Sequence, residues 1–319
     1  MPSPRILFVK TSSLGDVVHN CPAVTDVARR IPDAIIDWVV EEAFAEVAGL
    51  HAHVRRVIPL AIRRWRVSLF AAATWSEMSA FRAALRSERY DAVIDSQGLL
   101  KSALVAAQAL GRRHGFDRAS AREPFGARFY DVGHAVPGNL HAVDRNRQLA
   151  AAALGYRVEG PCAYGLRVGD ARACVAVSNP YALFFTMTSR ADKLWPEEHW
   201  RALGNALAGR GLDCLLPWGT EEERRRCARI ATAIPGAVVP RHMTLAEIAV
   251  LAQGARCVVG VDTGLAHLAA ALEIPVAGLY CNSDPALTGL HGGGRLWNLG
   301  GAGTPPTVHA VLEALGTLG

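Results

Sequence analysis

The chain has 319 residues, half of them hydrophobic, which is enough to bury a large core and favours two domains. Its formal net charge is +5 and only 7% of its residues are aromatic, so the composition argues against a nucleic-acid-binding protein. No uncharged stretch is long enough to span a bilayer, and the N-terminus lacks the apolar core of a signal peptide. We therefore expect a cytoplasmic protein without a transmembrane segment.

Apolar strand-like runs alternate with helical patterns along the chain, which is typical of β-α-β units and parallel sheets. In the first half, strands are predicted over residues 6–10, 35–40, 54–59 and 92–95. Helices are predicted over residues 16–30, 77–88 and 99–110. Apolar periodicity fades and Gly and Pro accumulate around residues 155–170, which indicates a linker.

A second set of alternating elements follows this linker. Its strands are predicted over residues 181–185, 213–217, 257–261 and 276–280, and its helices over 197–209, 221–233, 245–253, 265–272 and 307–318. We therefore predict an α/β fold of two Rossmann-like domains whose parallel sheets face a central cleft. The domains are expected at residues 1–160 and 161–304, with residues 305–319 forming a C-terminal helix that packs back on the first domain.

The first predicted strand ends in a turn of small residues that also carries an acid, Asp16. Ligands of open α/β sheets gather at the carboxyl ends of strands. A carboxylate at such an edge is suited to taking a proton from an incoming hydroxyl. The alternative is that Asp16 caps the following helix, a common role for Asp, and the turn taken alone favours capping.

The strand over residues 257–261 ends in Asp262, Thr263 and Gly264, where another helix begins. Backbone N–H groups at a helix N-terminus form a ready anion site. His267 follows about one turn into the helix and can reach the same anion. An ordinary strand-to-helix turn with Asp262 as its cap fits the same residues.

A second turn strengthens the anion-site interpretation. Thr188, Ser189 and Lys193 follow the strand over residues 181–185, just before a helix that starts at a proline. Two hydroxyls and a lysine suit the oxygens of a diphosphate. The neighbouring Trp195 and Trp200 are interpreted as anchors of the core.

Glu223 begins the helix after the strand over residues 213–217. An acid at this position can accept hydrogen bonds from ribose hydroxyls. A solvated acidic helix start, favoured by the helix dipole, is the alternative. The sequence has no glycine-rich dinucleotide or P-loop motif and no D-x-D pair, so we predict neither a cofactor nor a bound metal.

The first half carries a compact basic cluster, Arg63, Arg64 and Arg66, directly after its third predicted strand. Lys101 and Arg122 add positive charge near other predicted strand ends and helix starts. Cations gathered at one edge of a sheet focus an anionic ligand and also attract an acidic lipid leaflet. Solvated surface arginines without a ligand are the alternative.

Together these segments resemble the bacterial lipopolysaccharide heptosyltransferases, and most of all their heptosyltransferase I branch. The resemblance runs from residue 5 to about residue 285, and its specific segments are residues 10–16, 61–66, 97–102, 121–124, 192–193, 195–200, 216–219 and 262–264 with His267. It implies a GT-B fold with the nucleotide-sugar site in the C-terminal domain. It also implies inverting transfer of L-glycero-D-manno-heptose from ADP-heptose to Kdo of Kdo-lipid A, by an enzyme peripheral on the cytoplasmic face of the inner membrane.

The resemblance also implies roles for individual residues. Asp16 matches the proposed base and Lys193 a contact to donor phosphate. The donor pocket is expected to include Thr188, Ser189, Glu223, Met243, Asp262, Thr263, Gly264 and His267. The acceptor site is expected to include Ser13, Arg63, Arg64, Arg66, Lys101 and Arg122. Met187 and residues 281–283 depart from the family pattern.

Three other functions remain open at this point. A heptosyltransferase II would perform the same chemistry on a heptose acceptor, which needs fewer cationic contacts. A GT-B-shaped nucleotide-sugar epimerase would consume the donor without any acceptor. A non-catalytic nucleotide-binding module would keep Lys193 and Asp262 but would have no use for Asp16.

Overall fold

The computed structural model describes residues 3–169 and 179–316. The chain divides into two compact units, Met1–Leu166 and Arg167–Gly319. This division falls inside the stretch of residues 155–170 in which the sequence indicates a linker. Each unit is built on its own parallel sheet.

The first unit contains a six-stranded sheet in the order β3-β2-β1-β4-β5-β6, with every pair parallel. Its strands are β1 (Arg5–Val9), β2 (Ile35–Glu41), β3 (Val54–Leu60), β4 (Arg89–Asp95), β5 (Leu110–Phe116) and β6 (Val132–His134). Its helices are α1 (Leu14–Arg30), α2 (Ala45–Gly49), α3 (Ile62–Trp65), α4 (Ala72–Arg86), α5 (Leu100–Ala106) and α6 (Ala142–Leu154). This strand order is that of a dinucleotide-type Rossmann sheet.

The centre of this sheet is β1, whose last four residues are completely buried. A parallel strand that is covered on both faces requires such an uninterrupted apolar run. The strand order changes direction between β1 and β4, so the turns that follow these two strands lie side by side. Ligands of open α/β sheets bind at such a point.

The second unit contains a five-stranded parallel sheet in the order β11-β10-β9-β7-β8. Its strands are β7 (Tyr181–Phe185), β8 (Asp213–Leu215), β9 (Cys257–Val261), β10 (Val276–Tyr280) and β11 (Leu296–Gly300). Its helices are α7 (Glu197–Ala208), α8 (Glu221–Ala231), α9 (Leu245–Gln253), α10 (Gly264–Ala271), α11 (Pro285–Thr288) and α12 (Val308–Gly316).

A single parallel bridge extends this second sheet beyond β8. Val238 donates its N–H to the carbonyl of Cys214 at 2.8 Å, and its carbonyl accepts from the N–H of Leu216 at 2.9 Å. Counting Val238 as a sixth strand position, the second sheet has the same order as the first. Its change of direction falls between β7 and β9, so the turns after these two strands are neighbours.

Several elements differ from the sequence-based predictions. The strands β5, β6 and β11 and the helix α6 are absent from those predictions, and the helix predicted at residues 77–88 begins earlier, as α4. The predicted C-terminal helix is present as α12. It packs against α7, β10 and β11 of the second unit, because its apolar residues Val311 and Leu315 belong to that unit's core.

Candidate active site

The turn after β1 holds Asp16 in the first turn of α1. Its Oδ2 accepts a hydrogen bond from the N–H of Ser13 at 3.0 Å, which forms one half of a capping box. The capping role considered for this acid is therefore present in the structure. The side chain of Asp16 remains 19% exposed, so its carboxylate is also accessible to a ligand.

Two cations act on the carboxylate of Asp16. Arg122 lies with Nη1 3.5 Å from Oδ2, and Lys10 is buried at the end of β1. Burial alone raises the pKa of Asp16, but the charges of these two cations, aided by the Ser13 N–H and the Gln97 amide, bring it below its ordinary value. Asp16 is therefore an anion at neutral pH, and as a weak base it can take a proton only late in a reaction.

Lys10 is anchored by uncharged groups. Its Nζ donates to the carbonyl of Ser96 at 2.7 Å and lies 3.4 Å from Oδ1 of Asn146. Burial lowers the pKa of Lys10 to about 8, although the charges of Asp16 and Asp95 oppose this effect. The lysine thus places a positive charge behind the turn, and no carboxylate in the described part of the chain forms a direct ion pair with it.

The turn after β4 supports the turn after β1. Oε1 of Gln97 accepts the N–H groups of Thr11 and Ser12 at 3.1 and 3.2 Å. Gly98 has φ +69°, a backbone conformation that favours glycine. Gln97 is not among the predicted site residues, although it lies in one of the segments that carry the resemblance.

The structure brings further predicted acceptor residues to this edge. Lys101 donates from Nζ to Oγ of Ser12 at 3.0 Å. The segment that carries Arg122 is held because the neighbouring Glu123 accepts the N–H of Leu100 at 2.7 Å. Ser13, Lys101 and Arg122 are therefore grouped with Asp16 around one predominantly positive turn.

The three arginines after β3 are not equivalent. Arg64 forms ion pairs with Glu42 at 3.0 Å and Glu77 at 2.8 Å, and hydrogen bonds to these carboxylates raise the pKa of its guanidinium. The guanidinium of Arg63 lies 5.3 Å from the centre of the Phe44 ring. Arg66 is exposed and has no hydrogen-bond or ion-pair partner for its guanidinium among residues 3–169 and 179–316.

Helix α3, which carries this cluster, is linked to the turn after β1 through Glu41. Oε1 of Glu41 accepts the N–H of Arg63 at 2.9 Å, and the N–H of Glu41 donates to the carbonyl of Thr11 at 3.0 Å. Arg63 and Arg66 are consequently presented at the same carboxyl edge of the sheet as Asp16.

In the second unit, the turns after β7 and β9 meet at Asp262. Its Oδ2 lies 2.5 Å from Nζ of Lys193 and accepts the hydroxyl of Ser283 at 2.8 Å. Its Oδ1 lies 3.8 Å from Nε2 of His267, and its carbonyl accepts the hydroxyl of Thr188 at 2.8 Å. Burial raises the pKa of Asp262, but its side-chain hydrogen bonds and the charge of Lys193 bring it well below its ordinary value.

Helix α10 begins at Gly264, two residues after Asp262, and its N-cap Thr263 makes no side-chain capping bond. The intrahelical hydrogen bonds start with the N–H of Ala266, so the N–H groups of Gly264 and Leu265 precede them. These amides follow Asp262 closely in the chain and the ammonium of Lys193 contacts the Asp262 carboxylate, so both lie at the carboxyl edge of the sheet. Such an arrangement binds an anion with several oxygens.

The other predicted donor residues have different environments. Glu223 caps α8, since its Oε2 accepts the N–H of Gly219 at 2.6 Å and that of Thr220 at 3.1 Å. The helix-start role considered for Glu223 is therefore present. Met243 is 4% exposed and belongs to the core, whereas Ser189 is exposed on the turn after β7. The predicted core anchors Trp195 and Trp200 are fully buried.

Ser283 is a site residue that sequence reasoning missed. It lies in the segment of residues 281–283 that departs from the family pattern, and Asn282 of the same segment donates to Asp192 at 2.7 Å. The departure itself is the only local signal.

Within residues 3–169 and 179–316, no three His, Cys, Asp or Glu side chains gather as they would around a metal, and no helix is long and apolar enough to cross a membrane.

A chain of two Rossmann-like units, with Asp16 at the switch point of the first and Lys193 beside the N-terminus of α10 at that of the second, has the architecture of a GT-B glycosyltransferase. The model of glycosyltransferase family 9, the heptosyltransferases, matches residues 78–299. The chain belongs to this family. Lipopolysaccharide heptosyltransferase 1 of Escherichia coli K12 is 47% identical, covering 90% of this chain and 91% of the relative. Lipopolysaccharide heptosyltransferase 1 of Salmonella typhimurium is 46% identical, and the match covers 90% of this chain and 92% of the relative.

Solved structures agree with this assignment. The E. coli heptosyltransferase WaaC with ADP is 42% identical, with a TM-score of 0.90 over 99% of this chain and all of that one. The same protein with ADP-2-deoxy-2-fluoro heptose is 41% identical, with a TM-score of 0.87, and the match again covers 99% of this chain and all of that one. E. coli heptosyltransferase II shares the fold at 22% identity and a TM-score of 0.80. A putative UDP-N-acetylglucosamine 2-epimerase from Listeria monocytogenes has only 9% sequence identity to this chain and a TM-score of 0.52. The epimerase alternative is therefore not favoured.

Proposed function

We propose that this heptosyltransferase moves L-glycero-D-manno-heptose from ADP-heptose to a Kdo hydroxyl of Kdo-lipid A, with inversion, in assembly of the lipopolysaccharide inner core. The observation that carries the donor half is the group of Lys193, Asp262 and the first amides of α10. It supplies positive charge and N–H donors at one edge of the sheet, in a chain 42% identical to a heptosyltransferase solved with ADP.

The donor diphosphate is assigned to this group. Lys193 contributes a point charge, and the N–H groups of Gly264 and Leu265 add oriented donors at the positive end of a helix. Thr263, His267 and the hydroxyls of Thr188 and Ser189 complete the phosphate side. Glu223 is assigned to the ribose through the oxygen that its cap does not use, and Met243 to the wall of the nucleoside pocket.

The chemistry is a single displacement. The Kdo hydroxyl oxygen forms a bond to the anomeric carbon while the bond from that carbon to the β-phosphate oxygen breaks, and ADP leaves with the electron pair. Asp16 accepts the hydroxyl proton as the new bond forms. Lys193 and the α10 amides stabilise the charge that gathers on the leaving phosphate.

The positive groups around Asp16 support an anionic acceptor. Kdo carries a carboxylate and lipid A carries phosphates, both of which suit the exposed guanidinium groups of Arg63, Arg66 and Arg122 and the ammonium of Lys101. An acceptor embedded in a bilayer also requires the enzyme to work at a lipid surface. We therefore place it as a peripheral protein at the cytoplasmic face of the inner membrane.

An ADP-release assay tests this proposal directly. With ADP-heptose as donor, release is expected only when a Kdo-lipid A analogue is present, and the heptosylated product should have the inverted anomeric configuration. The control is a heptosylated Kdo acceptor, which a heptosyltransferase II would prefer. Equal release with and without acceptor, or preference for the heptosylated acceptor, would contradict the proposal.

A further inference from the structure

The segment of residues 67–75, between α3 and the start of α4, exposes an unusual amount of apolar surface. Among residues 3–169 and 179–316, seven large hydrophobic side chains are strongly exposed, and four of them lie in this segment. Val67 is 86% exposed, Leu69 47%, Phe70 104% and Trp75 60%. Single exposed hydrophobic residues are common, but a contiguous group marks an interaction surface.

This exposure is imposed by an ordered backbone. The N–H of Ser68 donates to the carbonyl of Trp65 at 3.1 Å, and the N–H of Ala71 donates to the carbonyl of Ser68 at 3.0 Å. The hydroxyl of Thr74 also donates to the carbonyl of Ser68, at 2.8 Å, and the indole of Trp75 donates to the carbonyl of Leu69 at 2.9 Å. These bonds satisfy the N–H groups of Ser68 and Ala71 and the carbonyls of Ser68 and Leu69, which lowers the cost of moving this part of the backbone into a less polar medium.

The charged residues beside this segment are positive, and they indicate what kind of surface the segment binds. Residues 61–76 contain no Asp or Glu, and the nearest acid in sequence, Glu77, is paired with Arg64. Arg63 and Arg66 have no carboxylate partner on their guanidinium groups in the described residues and lie directly before the apolar side chains. Exposed Trp, Phe and Leu next to Arg is the pattern of a segment that binds the interface of an anionic bilayer.

We propose that the 67–75 segment is a lipid-surface anchor that inserts Val67, Leu69 and Phe70 among the acyl chains of an anionic bilayer. Arg63 and Arg66 then lie at the level of the lipid headgroups. This inference adds a specific segment to the proposed peripheral location. Lipid binding by the segment does not depend on the proposed function, whereas the purpose of the anchor does. It would hold the acceptor-binding edge of the first unit at the membrane, where a lipid-linked acceptor is found.

Vesicle flotation tests the anchor without any acceptor. Vesicles of phosphatidylcholine and phosphatidylglycerol should bind the wild-type protein, and pure phosphatidylcholine vesicles should bind it several-fold less. Phe70→Ser and Leu69→Ser should each lower the partition coefficient by about five- to tenfold. The matched control is Leu287→Ser in the second unit, since Leu287 is 45% exposed and Leu69 47%.

A second readout follows Trp75 itself. Brominated lipids should quench part of the wild-type tryptophan fluorescence, and Trp75→Phe should remove most of that quenching. Unfolding temperatures of the three serine variants are expected to stay near the wild-type value, because the substituted side chains are exposed. Absence of vesicle binding by the wild-type protein, or equal loss in Leu69→Ser and Leu287→Ser, would overturn the anchor.

Two further outcomes separate lipid binding from self-association of the chain and from failure of the transfer reaction. If Phe70→Ser changes the oligomeric state in light scattering and leaves flotation intact, the segment contacts a second copy of the chain and the proposal fails. Phe70→Ser should keep its rate with a water-soluble, deacylated acceptor and lose rate with a vesicle-embedded one. Vesicle binding with no transfer to either acceptor would count against the proposed function and leave the anchor standing.

Discussion

The ammonium of Lys193 lies 2.5 Å from Oδ2 of Asp262, so the cation assigned to the donor phosphate already has an anionic partner. Ser283 donates its hydroxyl to the same oxygen at 2.8 Å. When the ammonium turns towards a phosphate, Asp262 therefore keeps a hydrogen bond from Ser283 and remains next to His267. This arrangement orients the lysine before the donor arrives and keeps the buried carboxylate satisfied afterwards.

Lys193→Ala should weaken the binding of both ADP and ADP-heptose. A charge-assisted contact of about 1.5–3 kcal/mol is lost, which corresponds to a dissociation constant about ten- to a hundredfold higher. Calorimetry with ADP measures this dissociation constant. Arg190→Ala is the matched control, because Arg190 is an exposed cation of the same turn that pairs with Asp192. An ADP affinity in Lys193→Ala equal to that of the control would assign Lys193 to the fold.

Asp16→Asn separates the two roles of this acid. An amide oxygen can still accept the N–H of Ser13, so the helix cap and the unfolding temperature should be nearly unchanged. Because the amide cannot take up the hydroxyl proton, kcat should fall by about 10²- to 10⁴-fold with ADP affinity preserved. Turnover close to that of the wild type in Asp16→Asn would reduce Asp16 to a helix cap.

The acid side of the pH–rate profile should depend on Lys10. Its charge, with that of Arg122, keeps the pKa of Asp16 below the ordinary value. In Lys10→Met that pKa rises, so kcat should begin to fall at a higher pH than in the wild type when pH is lowered. Circular dichroism at each pH confirms that the fold persists.

Lys101→Met is the comparison for this experiment. Lys101 is a cation of the same turn, bonded to Ser12, but it is not among the groups with the largest effects on the pKa of Asp16. Its variant should keep the acid limb of the wild type even if its acceptor KM rises. An acid limb in Lys10→Met that coincides with that of the wild type would show that Lys10 has only a structural role.

The arginine cluster should divide into two classes. Arg63→Gln and Arg66→Gln should each raise the acceptor KM by about two- to fivefold at low salt, as expected for partly exposed charge contacts, and the effect should shrink at high salt. Arg64→Gln should affect the acceptor KM less, because Glu42 and Glu77 already neutralise Arg64. Steady-state titration of the acceptor at two salt concentrations measures this, and equal effects at all three positions would refute the division.

Transfer should proceed without a divalent metal. The positive charge next to the leaving phosphate is supplied by Lys193 and the amides of α10. Excess EDTA should therefore leave ADP release unchanged at saturating donor and acceptor. Loss of activity in EDTA with recovery on addition of Mg²⁺ or Mn²⁺ would disprove this.

The central strands are predictable because their residues are apolar without interruption. The strands β7, β9 and β10 begin and end where the sequence pattern predicts, and every residue in them is buried. In contrast, β5 contains Arg112, Arg113 and His114, which hide its strand character. Towards the edges of a sheet, fewer positions must be apolar, so local pattern loses its power there.

The turns that carry the site are predictable because each follows a recognisable strand, but the partners within them are not. Lys193 and Asp262 are 69 positions apart, and no local pattern shows that Asp262 binds a lysine and does not simply cap its helix. Arg63, Arg64 and Arg66 look equivalent in sequence. Only the packing of Glu42 and Glu77 beside Arg64 distinguishes it.

The last part of the chain supports the donor turn without belonging to it. The indole N–H of Trp195, two residues after Lys193, donates to the carbonyl of Pro306 at 2.9 Å in a fully buried position. Proteolytic clipping just before Pro306 would leave that N–H without an acceptor and would remove α12 from the core of the second unit. An enzyme shortened in this way should lose affinity for its nucleotide sugar first, although every residue assigned to the donor would still be present.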